Sequence, residues 1–295
     1  MTWFTFQIGS MLLSSANSIL DKRLVREHEP NPVMYLASFA AIGFPAAIIG
    51  LLVAPWPGYG AAGIGLLDGL LFTAIVLLYY RAMGLEDVSR LIPVLRLSNL
   101  LSLILLALCL GDQLSSNHYV AASLMTVGSL ALCWQSCGPG GKARFHVSRG
   151  MGLMALVALL SAISNVLASR LNLNYSPLVL LTWSKVGNVL GMLVVLLAQR
   201  QRAALRRSLT GSSIRFRLVI VGEQTGRLAA DVLSSLAVHQ AGSAALVSVI
   251  SGLGPLLVIL LAAVFLRERF SRQELPAKLT GIGCMMVGVS LLLAG

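Results

Sequence analysis

Polar residues are spaced along this chain so as to leave runs of about 20 apolar residues, long enough to cross a bilayer as helices. Ten such runs fall near residues 3–20, 32–54, 61–83, 91–110, 116–137, 150–170, 177–198, 216–238, 243–266 and 275–294. They are about twice the length of a membrane-barrel strand and lack its alternation, so each predicts a helix. Three charges interrupt the eighth run, RFRLVIVGEQTGRLAADVLSSLAVH: Glu223, Arg227 and Asp231. Spacing of four puts them on one helical face, with Arg227 positioned to neutralise the acid on either side. A charge near the bilayer centre costs from about 2.5 to more than 10 kcal/mol unless it faces protein or water. That face therefore predicts either a polar transport path or an internal clamp that holds helices together.

Composition supports a polytopic membrane protein. The chain is 57% hydrophobic and 11% charged, with a mean hydropathy of +0.84, whereas a soluble domain carries roughly 25% charged residues. The opening MTWFTFQ lacks a basic segment and no small-residue cleavage site follows, so the first run is read as a mature helix. A net charge of +11 would suggest nucleic acid in a soluble protein, but here the basic residues lie almost entirely in alternate loops. Lys22, Arg23 and Arg26 precede the second span, Arg81 and Arg90 precede the fourth, and Lys142, Arg144 and Arg149 precede the sixth. Arg200, Arg202, Arg206, Arg207, Arg215 and Arg217 precede the eighth, and Arg267, Arg269, Arg272 and Lys278 precede the tenth. Only Arg170 lies on the other side, while Arg96, Lys185 and Arg227 are within spans. By the positive-inside rule both termini of this multi-pass chain face away from the cytoplasm, in an inner or plasma membrane, and no nucleic-acid partner is needed.

The chain also repeats itself. SSANSILDKRLVREHEP, from Ser14 to Pro30, has its counterpart 147 residues later in SAISNVLASRLNLNYSP, from Ser161 to Pro177. LLSLILLALCLGDQLS, from Leu100, matches LLVILLAAVFLRERFS, from Leu256, and places Asp112 opposite Glu268. With five spans in each half, an odd number, the second half enters the membrane from the opposite side, which makes an inverted repeat. The expected organisation is a first repeat over residues 1–137, a basic Gly-rich linker over 138–149 and a second repeat over 150–295.

The last two spans, AGSAALVSVISGLGPLLVILLAAVFLRERFSRQELPAKLTGIGCMMVGVSLLL, resemble the carboxyl-terminal repeat signature of the EamA-type drug/metabolite transporters. EDVSRLIPVLRLSNLLSLILLALCLGDQLSSNHYVAASLMTVGSLAL in the first half resembles a second copy. The resemblance implies an all-α, ten-helix transporter of small metabolites, with a central cavity between the halves and access that alternates between the two sides. It does not name a solute. Together with the intramembrane polar groups, it points to the first, third, fourth, sixth, eighth and ninth helices as the cavity lining.

Candidate substrate-binding or coupling residues are Asn17, Asp68, Arg96, Asn99, Glu223, Arg227, Asp231 and Ser251. At about 1.5 Å per residue, Glu223 and Arg96 fall in one half of the membrane as plausible partners. Asp68 and Asp231 fall in the other half, where Lys185 also lies slightly off centre. Glu223 and Asp231 are candidates for proton coupling, and Arg96 or Arg227 for gripping an acidic group. Lys185, beside Gly187 and Gly191, reads as structural or snorkelling. A structural salt-bridge network accounts for the same charges. Asn17, Asn165, Asn99, Ser248 and Ser251 could bind solute or make interhelical hydrogen bonds worth only about 0.6 kcal/mol on average. In SGLGP, Pro255 removes a backbone donor after two glycines, so the ninth helix is expected to break there.

Catalytic and metal-binding signatures are missing. The sequence has no HExxH, GxSxG or GxxxxGK. Cys133 and Cys137 are one residue too far apart for a CxxC pair, and with Cys109 and Cys284 they read as packing residues. No cofactor is expected, and the partners expected are a small metabolite, the lipid bilayer and protons. The GxxxG spacing fits internal packing and a homodimer equally. The alternatives to a secondary transporter are an intramembrane enzyme acting on a lipid-linked or small substrate, and a scaffold that transports nothing.

Overall fold

The computed structural model describes residues 2–27, 32–85, 88–110, 116–132, 148–211, 213–251, 253, 254, 257, 261 and 275–294. All regular structure among the described residues is helical. The helices are α1 (Thr2–Glu27), α2 (Pro32–Val53), α3 (Tyr59–Met83), α4 (Val88–Leu110), α5 (Ser116–Leu132), α6 (Arg149–Asn174), α7 (Pro177–Leu197), α8 (Gln199–Gly211), α9 (Ile214–Ala241), α10 (Ala244–Ser251) and α11 (Leu275–Ala294). Four of these, α2, α3, α6 and α7, are long and apolar enough to cross a membrane by length and composition. Asp112, Glu268, Cys133, Cys137, Pro255 and linker residues 138–147 lie outside the described residues.

The ends of the helices follow local chemistry. Ser148 accepts a hydrogen bond from the Met151 amide at the start of α6, and Ser213 does the same for Phe216 at the start of α9. Each satisfies a backbone donor that the first helical turn leaves open. Pro177 occupies the first turn of α7, where its missing N–H costs nothing. Gly242 stops α9 with φ at 65°, a left-handed conformation that an L side chain resists. At SGLGP, α10 ends at Ser251, and the Leu253 amide steps back only three residues, to the Ile250 carbonyl at 2.9 Å.

One element departs from expectation. Residues 199–211, read as loop, form the helix α8. Its Gln, Arg, Ala and Leu residues favour helix, and Gln201, Ala204, Leu205 and Ser208 are half-buried along one side. A hydropathy window cannot see it, because four arginines hide the periodicity.

Packing leaves apolar side chains on the outside as well as in the core, and encloses polar ones. Large apolar side chains such as Leu52, Leu108, Leu197 and Ile214 are exposed, while Gln7, Asn17, Asp68, Lys185, Asn188, Glu223 and Gln224 are buried. An apolar exterior, with polar side chains enclosed beside the buried apolar clusters, is what lipid as solvent demands. α1 packs on α9, α3 on both α6 and α7, α4 on α6, and α5 on α11. Where α3 meets α7, a Cβ on Gly69 would run into the Ser184 carbonyl and the Asn188 amide, and one on Gly187 into the Leu66 carbonyl. Gly187 and Gly191 thus serve contact within the chain, with Thr73 filling the space beside Gly191.

Candidate functional site

Among the described residues, two of the cavities lie inside the bundle. The larger, about 440 Å³, is lined from α1 by Gln7, Ser10 and Asn17, from α9 by Gln224, Arg227 and Asp231, and elsewhere by Asn99 and Ser251. Its apolar wall is aromatic, with Tyr35 stacked on Tyr80 at 4.1 Å and Phe39 on Phe72 at 4.7 Å. The smaller, about 260 Å³, is lined by Asp68, Asn165, Asn172, Ser184, Lys185, Asn188 and Ser248, among others. Phe72, Asn99, Asp231, Ser234 and Ser251 belong to both walls.

The charges form two groups. Lys185 on α7 reaches Asp231 on α9, with Nζ 2.9 Å from Oδ2. The lysine stem lies against Gly43 on α2, and the ammonium lies 4.3 Å from the centre of the Phe39 ring, a favourable place for a cation. Lys185 is only 4% exposed, whereas the Asp231 side chain is 38% exposed. Next to this pair in the smaller cavity, Asp68 accepts hydrogen bonds from Ser164 and Ser184, one on each carboxylate oxygen. Asp68, Lys185 and Asp231 therefore surround one space. In the second group, the Arg227 guanidinium donates to Glu223 Oε1 through Nε at 3.0 Å and Nη2 at 2.6 Å.

Sequence spacing places Arg227 between two acids, but the ion pair of Asp231 is with Lys185 on another helix. Glu223 is 0% exposed and lines neither cavity. Lys185, which reads as structural, sits at the cavity wall. The side chain of Arg96 lies outside the described residues. Asn165 donates to Ser102 at 2.9 Å, which satisfies one of its amide hydrogens within the bundle. α2 and α7 join the expected lining helices through Tyr35 and Phe39, and through Ser184 and Asn188.

The amides matter more than their sequence positions suggest. Gln7 donates to Ser251 at 2.7 Å, and Ser251 donates to the Val247 carbonyl at 2.9 Å. Among the described residues, Gln7 Oε1, Asn17 Nδ2 and Gln224 Oε1 in the larger cavity are buried without a hydrogen-bond partner, as are Asn172 Oδ1 and Asn188 Oδ1 in the smaller. An unmatched buried polar atom costs about 1–3 kcal/mol, so the cavities present groups that a polar occupant would satisfy. Opposite Asn17, a Cβ on Gly226 would come within 2.8 Å of its Oδ1, so glycine is what lets this amide lie between α1 and α9.

Residues 148–294 match the family model described as the EamA-like transporter family. Over these residues the chain belongs to the EamA-like transporter family. The EamA-like region runs from the cap of α6 to the end of α11 and includes Lys185, Glu223, Arg227, Asp231 and Ser251. Membership makes the chain a membrane protein of the drug/metabolite transporter superfamily. A solved crystal structure with 20% sequence identity has the same fold, with a TM-score of 0.67 over 97% of this EamA-like chain and 94% of its own. No curated protein matches the sequence.

Proposed function

We propose that this protein is a secondary transporter, built as ten membrane spans in two inverted five-helix repeats, that moves a small polar or amphipathic metabolite by alternating access. The repeats are residues 1–137 and 150–295, joined by the linker 138–149. Packing supports this organisation, because swapping the halves exchanges contacts: α1 on α9 has its counterpart in α6 on α3. The observation that carries the function is the larger cavity. Its volume of about 440 Å³ suits a small-molecule site, and its unmatched amide groups offer both acceptors and a donor.

Within this reading the solute rests among Gln7, Asn17, Asn99, Gln224, Arg227 and Ser251, with the tyrosine and phenylalanine stacks against its apolar part. Glu223 holds the guanidinium of Arg227 toward the cavity. Asp231 is better placed than Glu223 to exchange a proton, since its carboxylate faces both cavities. Asp68 remains in the smaller cavity, held by two serines, as a second polar station on the path. Arg96 is retained as a solute-gripping candidate on its sequence position.

The test is the thermal stability of the purified protein against amino acids, nucleosides, amines, sugar phosphates and organic acids. A compound that binds the native state raises its apparent stability by mass action. One chemical class should raise the melting temperature, and Asn17→Ala and Gln224→Ala should each reduce the shift. A stable, monodisperse protein that responds to none of them would instead favour a structural clamp.

A further inference from the structure

We propose that α8 is a docking surface for the headgroups of anionic phospholipids. The placement of the helix limits what it can meet. Only Ala198 separates it from α7, and residues 212–213 separate it from α9, so it cannot move away from the bilayer surface. α8 packs on α2 and α7, with Leu205 resting on the apolar cluster of Val33, Leu36, Ala40 and Met192. Gln201, Ala204, Leu205 and Ser208 are half-buried, at helical spacings of three and four that define the side facing the bundle.

Arg200, Arg202, Arg206 and Arg207 are all exposed and spread over the opposite arc of the helix. Among the described residues no carboxylate pairs with any of them, and only Arg202 makes a local bond, to the Leu197 carbonyl at 3.0 Å. On either side of α8 the chain is apolar and exposed. Leu193, Val194 and Leu197 end α7, while Ile214 and Leu218 begin α9. α8 therefore joins two lipid-facing strips and runs along the perimeter of the bundle, where headgroups are. Four guanidiniums without a carboxylate partner among the described residues complement phosphodiester anions, to which Arg binds through a planar set of donors. The surrounding apolar surface favours a lipid over a soluble acidic partner.

The experiment uses the full-length protein in a neutral detergent, titrated with phosphatidylglycerol, phosphatidylcholine or inorganic phosphate while thermal unfolding is followed. Phosphatidylglycerol should raise the melting temperature more than phosphatidylcholine, and the difference should shrink as salt rises from about 0.05 to 0.5 M. The variant R200Q/R202Q/R206Q/R207Q should lose that preference, with apparent lipid affinity reduced at least tenfold, while the four-lysine variant should keep most of it. If the four-glutamine chain does not fold, R200Q/R202Q and R206Q/R207Q should each lose part of the preference. Full preference in any folded glutamine variant would overturn the proposal. An equal response to inorganic phosphate would also overturn it, by showing a soluble anion in place of lipid.

Discussion

Lys185 and Asp231 form one ion pair that joins α7 to α9 at a cavity wall. Lys185 is buried, so without its partner it would keep only the more distant charge of Asp68 across the smaller cavity, whereas Asp231 reaches the cavity and can be hydrated. Removing one partner of a fully buried pair costs about 3–5 kcal/mol, and the exposure of Asp231 lowers that figure. Asp231→Ala should therefore destabilise the protein by about 1–3 kcal/mol. Lys185→Met should cost less, and the double variant less than the sum of the two. Unfolding midpoints in detergent test this, and strict additivity would show that the two side chains do not support each other. The charges were legible in the sequence because each interrupts an apolar run. Gln7, Gln224 and Asn188 were not, since an uncharged amide in a span carries no ionic cost to single it out and only burial gives it weight. Tyr35 and Tyr80 escaped for the opposite reason, because an aromatic residue in an apolar span looks like packing.

Helices α3 and α7 approach so closely that the backbone of one occupies the place of a side chain on the other. Gly69→Ala should lower the melting temperature, because overpacking costs about 1–3 kcal/mol, more than the roughly 1 kcal/mol that alanine's helix propensity returns. Gly283→Ala, on α11 with nothing within 4 Å of its added Cβ, should leave stability unchanged or raise it. If both variants behaved alike, the α3 and α7 contact would not be the tight joint its geometry describes. Most helices could be read from the chain within a few residues of their ends, since lipid requires long apolar runs and the caps at Ser148 and Ser213 have recognisable chemistry. α8 could not. Its face toward the bundle consists of Gln201, Ala204, Leu205 and Ser208, and its role depends on neighbours distant in sequence.

For the whole molecule, the family match covers the second half while the likeness to a solved fold covers both. Orientation rests on the alternation of basic loops and predicts that both termini face away from the cytoplasm. A reporter that is active only outside the cytoplasm should signal when fused after Gly295 and stay silent when inserted near Arg206. The reverse pattern would invert the protein and transfer α8 to the other leaflet. The wall shared by the two cavities matters even when no solute is present. An open water column of this width would conduct ions and drain the gradients on which a cell depends. On the proposed path, Phe72 and Asp231, with its partner Lys185, stand at the wall the two cavities share, where an apolar ring and an opposed charge couple would resist a leak of ions.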